Sequence, residues 1–255
     1  MPALQPALQL RGGMSLGGVD EQQIATGLTA LLGVQGLMMY QNPDKAGEMY
    51  DIPSTGVTTF FAENIGALFL GSAFAGYSVL NGGDAAEAAA YANIPGLLLG
   101  LKNLVDNTAG KLGWSDASKY APLAVSGLLT AALLGKLDFL SSGDALTYSA
   151  YWLLANGAGM YLVPDKAMEG WGATYKGDAE FTMVKLMGQS IGFYGMLLYK
   201  LSEGASATEA LGYAWALGTA ANIDGSYISK FSVFPEDKSR FWLAVGGVGA
   251  AALLL

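Results

Sequence analysis

Apolar runs of similar length alternate with short polar joints along most of this chain. They extend from Gln23 to Tyr40, Val57 to Leu80, Ala85 to Lys102, Ser118 to Gly135, Asp144 to Leu162, Glu180 to Leu201, Ala207 to Asn222 and Lys238 to Leu255. A membrane-crossing helix needs roughly 17 to 25 such residues, whereas a transmembrane strand needs only about 9 to 11 and alternates strictly. The pattern therefore predicts about eight helices. Glycine, asparagine and serine mark the joints, as in Asn81-Gly82-Gly83-Asp84 and Ser202-Glu203-Gly204. Residues 1–22 differ, with two prolines, four glycines and a single arginine, and read as an N-terminal tail without a secretory core.

An internal repeat organises these runs. Pro43-Asp44-Lys45-Ala46 returns as Pro164-Asp165-Lys166-Ala167, an offset of 121 from Pro43 to Pro164. At the same offset Gly36 meets Gly157, Tyr40 meets Tyr161, Glu48 meets Glu169, Phe60 meets Phe181 and Leu80 meets Leu201. After an adjustment of one residue, Glu87-Ala88 and Tyr91 meet Glu209-Ala210 and Tyr213, and Ser118-Lys119-Tyr120 returns to the first register against Ser239-Arg240-Phe241. A register held so far implies duplication. The expected fold is all-α: a polytopic membrane helical bundle of two tandem four-helix repeats, residues 23–140 and 141–255. An even helix number makes the repeats parallel, related by an axis along the membrane normal. The connections near residues 41–56, 103–117, 163–179 and 223–237 then share a face with Lys45, Lys111, Lys166, Lys176 and Lys230, which places that face in the cytosol or stroma.

Composition sharpens the picture. Of 255 residues 52% are hydrophobic and 13% charged, against about 25% charged in an ordinary soluble domain. The mean hydropathy of +0.36 is modest because 36 glycines dilute the larger side chains, and small residues are what membrane helices use at their contacts. There is no cysteine and no histidine, so thiolate chemistry and the commonest general base are excluded. A net charge of -8 argues against nucleic acid. No phosphate loop, nucleophile elbow or metal helix occurs, and a non-catalytic role is expected.

A few residues inside the runs need two readings. Gln35 and its repeat mate Asn156 place an amide at the same depth in both halves, to bond between helices or to hold a ligand. Glu63 and Asn64 lie in the second run, and at the 121 offset Lys185 is the mate of Asn64. Glu63 and Lys185 could pair across the axis, hold a substrate, or snorkel. Ala67, Gly71 and Ala75, matched by Gly188 and Gly192, and Gly127, Ala131 and Gly135, form small-residue stripes for close helix contact or for flat ligands. Tyr40, Tyr50, Tyr120, Tyr161, Trp171, Phe241 and Trp242 fall at run ends, where an interfacial belt is expected.

Two resemblances extend this reading. Leu8-Gln9-Leu10-Arg11-Gly12-Gly13-Met14-Ser15-Leu16-Gly17 looks like the start of mature plastid proteins in algae with red-lineage secondary plastids. Each repeat, a run followed by Asn42-Pro43-Asp44 or Val163-Pro164-Asp165 and three more runs, is similar in plan to DoxX-like four-helix membrane families. The algal resemblance implies an accessory thylakoid subunit that scaffolds photosystem core and antenna proteins and binds some chlorophyll and carotenoid. Without histidine, the side chains it implies for chlorophyll magnesium are the oxygens of Glu63, Asn64, Gln35, Asn156 and Gln189, which suit a hard ion. The alternative is a small-solute or lipid transporter, with its path between the repeats and Glu63 and Lys185 as its charged pair.

Overall fold

The computed structural model describes residues 20–255, so the plastid-like segment Leu8 to Gly17 and nearly all of the tail lie outside the described residues. Asp20 already belongs to the fold. Its carboxylate accepts from Gln23 N at 2.7 Å while the Gln23 side chain accepts from Asp20 N at 3.2 Å, a reciprocal cap that starts α1 (Glu21–Gln41) two residues before the predicted boundary.

All regular structure among the described residues is helical. After α1 come α2 (Pro43–Met49), α3 (Gly56–Leu80), α4 (Ala85–Ala92), α5 (Ile94–Val105), α6 (Thr108–Lys111) and α7 (Asp116–Leu133). Then follow α8 (Ser142–Leu162), α9 (Pro164–Gly170), α10 (Gly177–Ser202), α11 (Ala207–Ile223), a π-helical turn (Asp224–Ile228) and α12 (Glu236–Leu254). Adding 121 to the bounds of α1 and α2 gives those of α8 and α9. Pro43 and Pro164 open the short helices at a position where a missing N–H costs nothing. One predicted helix is divided. Pro95, near the start of α5, has no N–H to continue the ladder, so the run from Ala85 to Lys102 breaks at Asn93. Leu217 stands in the equivalent place, and α11 runs through unbroken.

Within the bundle α3 and α10 lie side by side. α1 packs on α3 and α8 on α10, and each of these first helices also reaches the opposite half: α1 touches α11 and α12, while α8 touches α4 and α7. The halves are therefore clasped. Two apolar cores result: one runs along the bundle through Leu32, Leu133, Leu197 and Leu211, and the other gathers Ile52, Phe61, Trp114, Met168 and Met183 beneath the loop helices.

Contacts fix the register between the halves. A Cβ on Gly36 would lie 2.7 Å from Leu70 N and 2.9 Å from Gly66 O, and a Cβ on Gly157 would lie 2.6 Å from Gly192 N and 2.8 Å from Gly188 O. Gly66 thus corresponds to Gly188, an offset of 122, because α10 has 26 residues and α3 has 25. The expected matches of Ala67 with Gly188 and Gly71 with Gly192 are corrected by one residue. Gly71 instead faces α4, where an added Cβ would meet Ala92 O at 2.4 Å. The stripe Gly127, Ala131 and Gly135 is not a close contact along its length. Nothing lies within 4 Å of a Cβ at Gly127, and Gly135 lies beyond α7 at φ +64°.

Apolar side chains lie on the outer surface of several helices. Val34 and Leu37 of α1, Leu98 and Leu101 of α5, Leu128 of α7, Tyr148, Tyr151 and Trp152 of α8, and Phe241 and Val248 of α12 are all exposed. Among the described residues one helix, α3, is long and apolar enough to cross a membrane by length and hydropathy, with a mean of 1.3 over its best window, 44% of it buried. A buried helix of a soluble protein can share those properties.

Candidate functional site

Two cavities repeat the twofold plan. The wider, about 250 Å³, is walled by α3, α4, α5 and α7 of the first half and closed by α8 and α9 of the second. The narrower, about 130 Å³, is walled by α10, α11 and α12 and closed by α1 and α2. Their linings correspond residue by residue. Gln35, Met39 and Tyr50 of the narrow cavity match Asn156, Met160 and Trp171 of the wide one at the 121 offset. On the other wall Phe193, Trp215 and Phe231 match Gly71, Asn93 and Ala109 at 122, while Thr182 and Met183 match Phe60 and Phe61.

Four of the five predicted ligand residues line these cavities, Asn64 and Asn156 the wide one and Gln35 and Gln189 the narrow one. Asn64 Nδ2 donates to Phe60 O at 2.8 Å and Asn156 Nδ2 to Trp152 O at 2.9 Å, each a bond to its own preceding turn. Gln189 Nε2 donates to Gly218 O at 2.9 Å on α11. Such bonds engage the amide nitrogens and leave the side-chain oxygens as acceptors.

Glu63 lines neither cavity. Its Oε1 accepts from Lys102 Nζ at 2.6 Å, joining α3 to α5. Lys185 does not pair with Glu63 across the axis. Its Nζ lies 4.4 Å from the ring centre of Phe231, 4.9 Å from that of Tyr161 and 5.4 Å from that of Phe181, a cation held over aromatic faces. Tyr161 OH donates to Asp224 Oδ2 at 2.8 Å, and the charge of Asp224 acts on Lys185. The physical reason lies in the corrected register: Glu63 plus 122 is Lys185, and Lys102 plus 122 is Asp224. Each half carries one acid and one base at equivalent places on the same two neighbouring segments, with the signs exchanged. Comparison at 121 hid this, since it set Lys185 against Asn64.

Part of the predicted aromatic belt turns inward because α2 and α9 fold back over the bundle ends. Tyr50 is buried, and its hydroxyl accepts from Trp242 Nε1 at 2.9 Å. Burial pushes the Tyr50 phenol above its ordinary pKa, and the hydrogen bond from Trp242 opposes that rise. Trp171 lines the wide cavity, while Tyr120 and Phe241 do face outward. In the same loops Asp44 accepts from Ser54 and Asp165 from Tyr175, an equivalent pair at the 121 offset.

The positional reading of the sequence did not single out Asn93, Tyr194, Ser149 or Trp215. Tyr194, fully enclosed, donates to Ala89 O at 3.1 Å and approaches Asn93 Oδ1 at 3.4 Å, tying α10 to α4. Their equivalents at 122 are Ser72 and Trp215, whose buried Oγ and Nε1 have no hydrogen-bond partner. Among the described residues no cluster of acidic side chains suits a metal ion. The chain matches no protein-family model, no curated protein and no solved structure.

Proposed function

We propose that this chain is a non-catalytic integral membrane subunit, built from two parallel repeats, that carries apolar ligands between its halves and scaffolds larger partners. The observation that supports this best is the apolar character of its outer helix faces. The lining of each cavity includes amides and hydroxyls, whereas the outward faces of α1, α5, α7, α8 and α12 present leucine, valine and aromatic side chains over their central turns. A water-soluble protein rarely exposes contiguous apolar area beyond a few hundred Å², and lipid or a membrane partner covers such a surface at no cost. From Ala145 to Pro164, through α8 beyond its first turn, no residue is charged.

The plastid resemblance gives this plan a setting, the thylakoid, and partners, the photosystem core and antenna proteins, with chlorophyll and carotenoid as cofactors. The oxygens of Asn64, Asn156 and Gln189 fit a hard magnesium ion as a fifth ligand, and their amide nitrogens are already engaged. Glu63 fits less well because Lys102 holds it. The transporter alternative drew its path from a Glu63 and Lys185 pair, whereas Glu63 is held by Lys102 and Lys185 lies over the rings of Phe231, Tyr161 and Phe181. The deciding experiment is purification from the native membrane in mild detergent, with an absorption spectrum and mass identification of co-purifying proteins. Chlorophyll bands with photosystem subunits are expected. A colourless protein that migrates alone overturns the scaffold reading.

A further inference from the structure

The two cavities have one plan and different contents, and the difference identifies a site. Phe193, Trp215 and Phe231 line the narrow cavity at the positions that Gly71, Asn93 and Ala109 hold in the wide one. An interior packs to near-crystalline density wherever side chains can fill it, and the wide cavity leaves about 250 Å³ unfilled against about 130 Å³ in the narrow one. The wide cavity also carries polar groups without protein partners. Asn64 and Asn156 present side-chain oxygens that accept no hydrogen bond among the described residues, and the Oγ of Ser149, a residue 2% exposed, has no partner. A buried hydroxyl left unpaired costs about 1 to 3 kcal/mol, which a bound molecule would recover.

We infer that the wide cavity, and not the narrow one, binds one neutral, elongated and largely apolar molecule that carries a hydroxyl and a second oxygen function. Neutrality follows from the lining. Lys119 is its one charged residue, and its ammonium is directed at Asn107 Oδ1 at 2.9 Å. Acceptors at Asn64 and Asn156 call for a donor, which a hydroxyl supplies. Elongation follows from α8, where Ser149 and Asn156 stand two turns apart, about 10 Å along the axis. Ser149 donates to the second oxygen. Gly96, Pro122 and Trp152 line the cavity and are exposed on the outer apolar face, so the molecule enters sideways from the lipid. This deepens the apolar-ligand part of the proposed function and rests on it.

The test titrates the detergent-purified full chain, stripped of endogenous ligand, with all-trans-4-oxoretinol, and reads quenching of the fluorescence of Trp114, Trp152 and Trp171, which line the cavity. The expected result is one molecule per chain, bound more tightly than retinol, and retinol more tightly than retinyl acetate. Asn64→Leu with Asn156→Leu weakens binding about fivefold, the loss of one ordinary hydrogen bond. Ser149→Ala weakens 4-oxoretinol by a similar factor and leaves retinol unchanged. Gln35→Leu in the narrow cavity changes nothing, and Met187→Trp, which fills the wide one, abolishes binding while circular dichroism holds. Two molecules per chain, unchanged binding in the asparagine double variant, or no binding at all overturns the inference. Alkaline carbonate extraction separates the two failures: a chain that stays in the membrane yet binds nothing refutes the ligand alone, and one that washes off refutes the membrane reading beneath it.

Discussion

Replacing Gly36 with alanine tests whether the clasp between helices rests on backbone contact. Inside a helix, glycine to alanine is worth about 1 kcal/mol of stabilisation, because the residue loses conformational freedom in the unfolded chain. At Gly36 that gain is opposed. The new methyl would sit 2.7 Å from Leu70 N, 2.9 Å from Gly66 O and 2.9 Å from Phe69 Cβ, where ordinary contact begins near 3.4 Å, and two of the three atoms are backbone. The helices must part along the seam, at about 1 to 3 kcal/mol for overpacking. Gly157 meets Gly192 N at 2.6 Å and Gly188 O at 2.8 Å, so it should behave the same way. Gly27 on α1 and Gly159 on α8 have nothing within 4 Å, and there alanine should only stabilise. The helix-propensity gain is common to both kinds of site, so the expected gap between clasp and control sites is the overpacking cost, about 1 to 3 kcal/mol. Unfolding in mixed micelles by increasing SDS fraction, followed by circular dichroism, measures it. If Gly36→Ala and Gly157→Ala prove as stable as Gly27→Ala and Gly159→Ala, the close seams and the register drawn from them are wrong.

Two further perturbations address the charges. Glu63→Gln should destabilise by about 1 to 2 kcal/mol, a figure discounted because the Lys102 side chain is 51% exposed, and the exchange Glu63→Lys with Lys102→Glu should recover most of the loss, since the second half already uses the opposite signs. Failure of the exchange to rescue in the same SDS assay would show that the pairing is not interchangeable. In the loop before α10, burial and then the hydrogen bond and charge of Asp165 push the Tyr175 phenol up to about 12 from 10.0. A pKa raised in the folded state adds stability that is whole below pH 10 and lost as pH rises through 12. In an ultraviolet difference titration against the parent chain, Asp165→Asn should move one phenolate step, that of Tyr175, to lower pH, and an unchanged curve would remove Asp165 as a cause.

Much of the architecture could be read along the chain. Run length and the polar joints mark helices, and the Pro-Asp-Lys-Ala tetrapeptide exposes a twofold plan, because these signals are local or are matched strings. All of them survive without knowledge of what touches what. The identity of partners across space does not. One additional residue in α10 turns everything beyond it by about 100° around the helix axis, so Lys185 corresponds to Glu63 and not to Asn64, a distinction that spacing alone could not make. The reach of α1 and α8 across to the opposite half likewise leaves no mark in either run, since an apolar helix face specifies burial without naming its neighbour. Gln35 and Asn156 were visible as amides at equal depth. Only the packed structure decided that one faces a cavity crowded by Phe193, Trp215 and Phe231, and the other a cavity with room for a ligand.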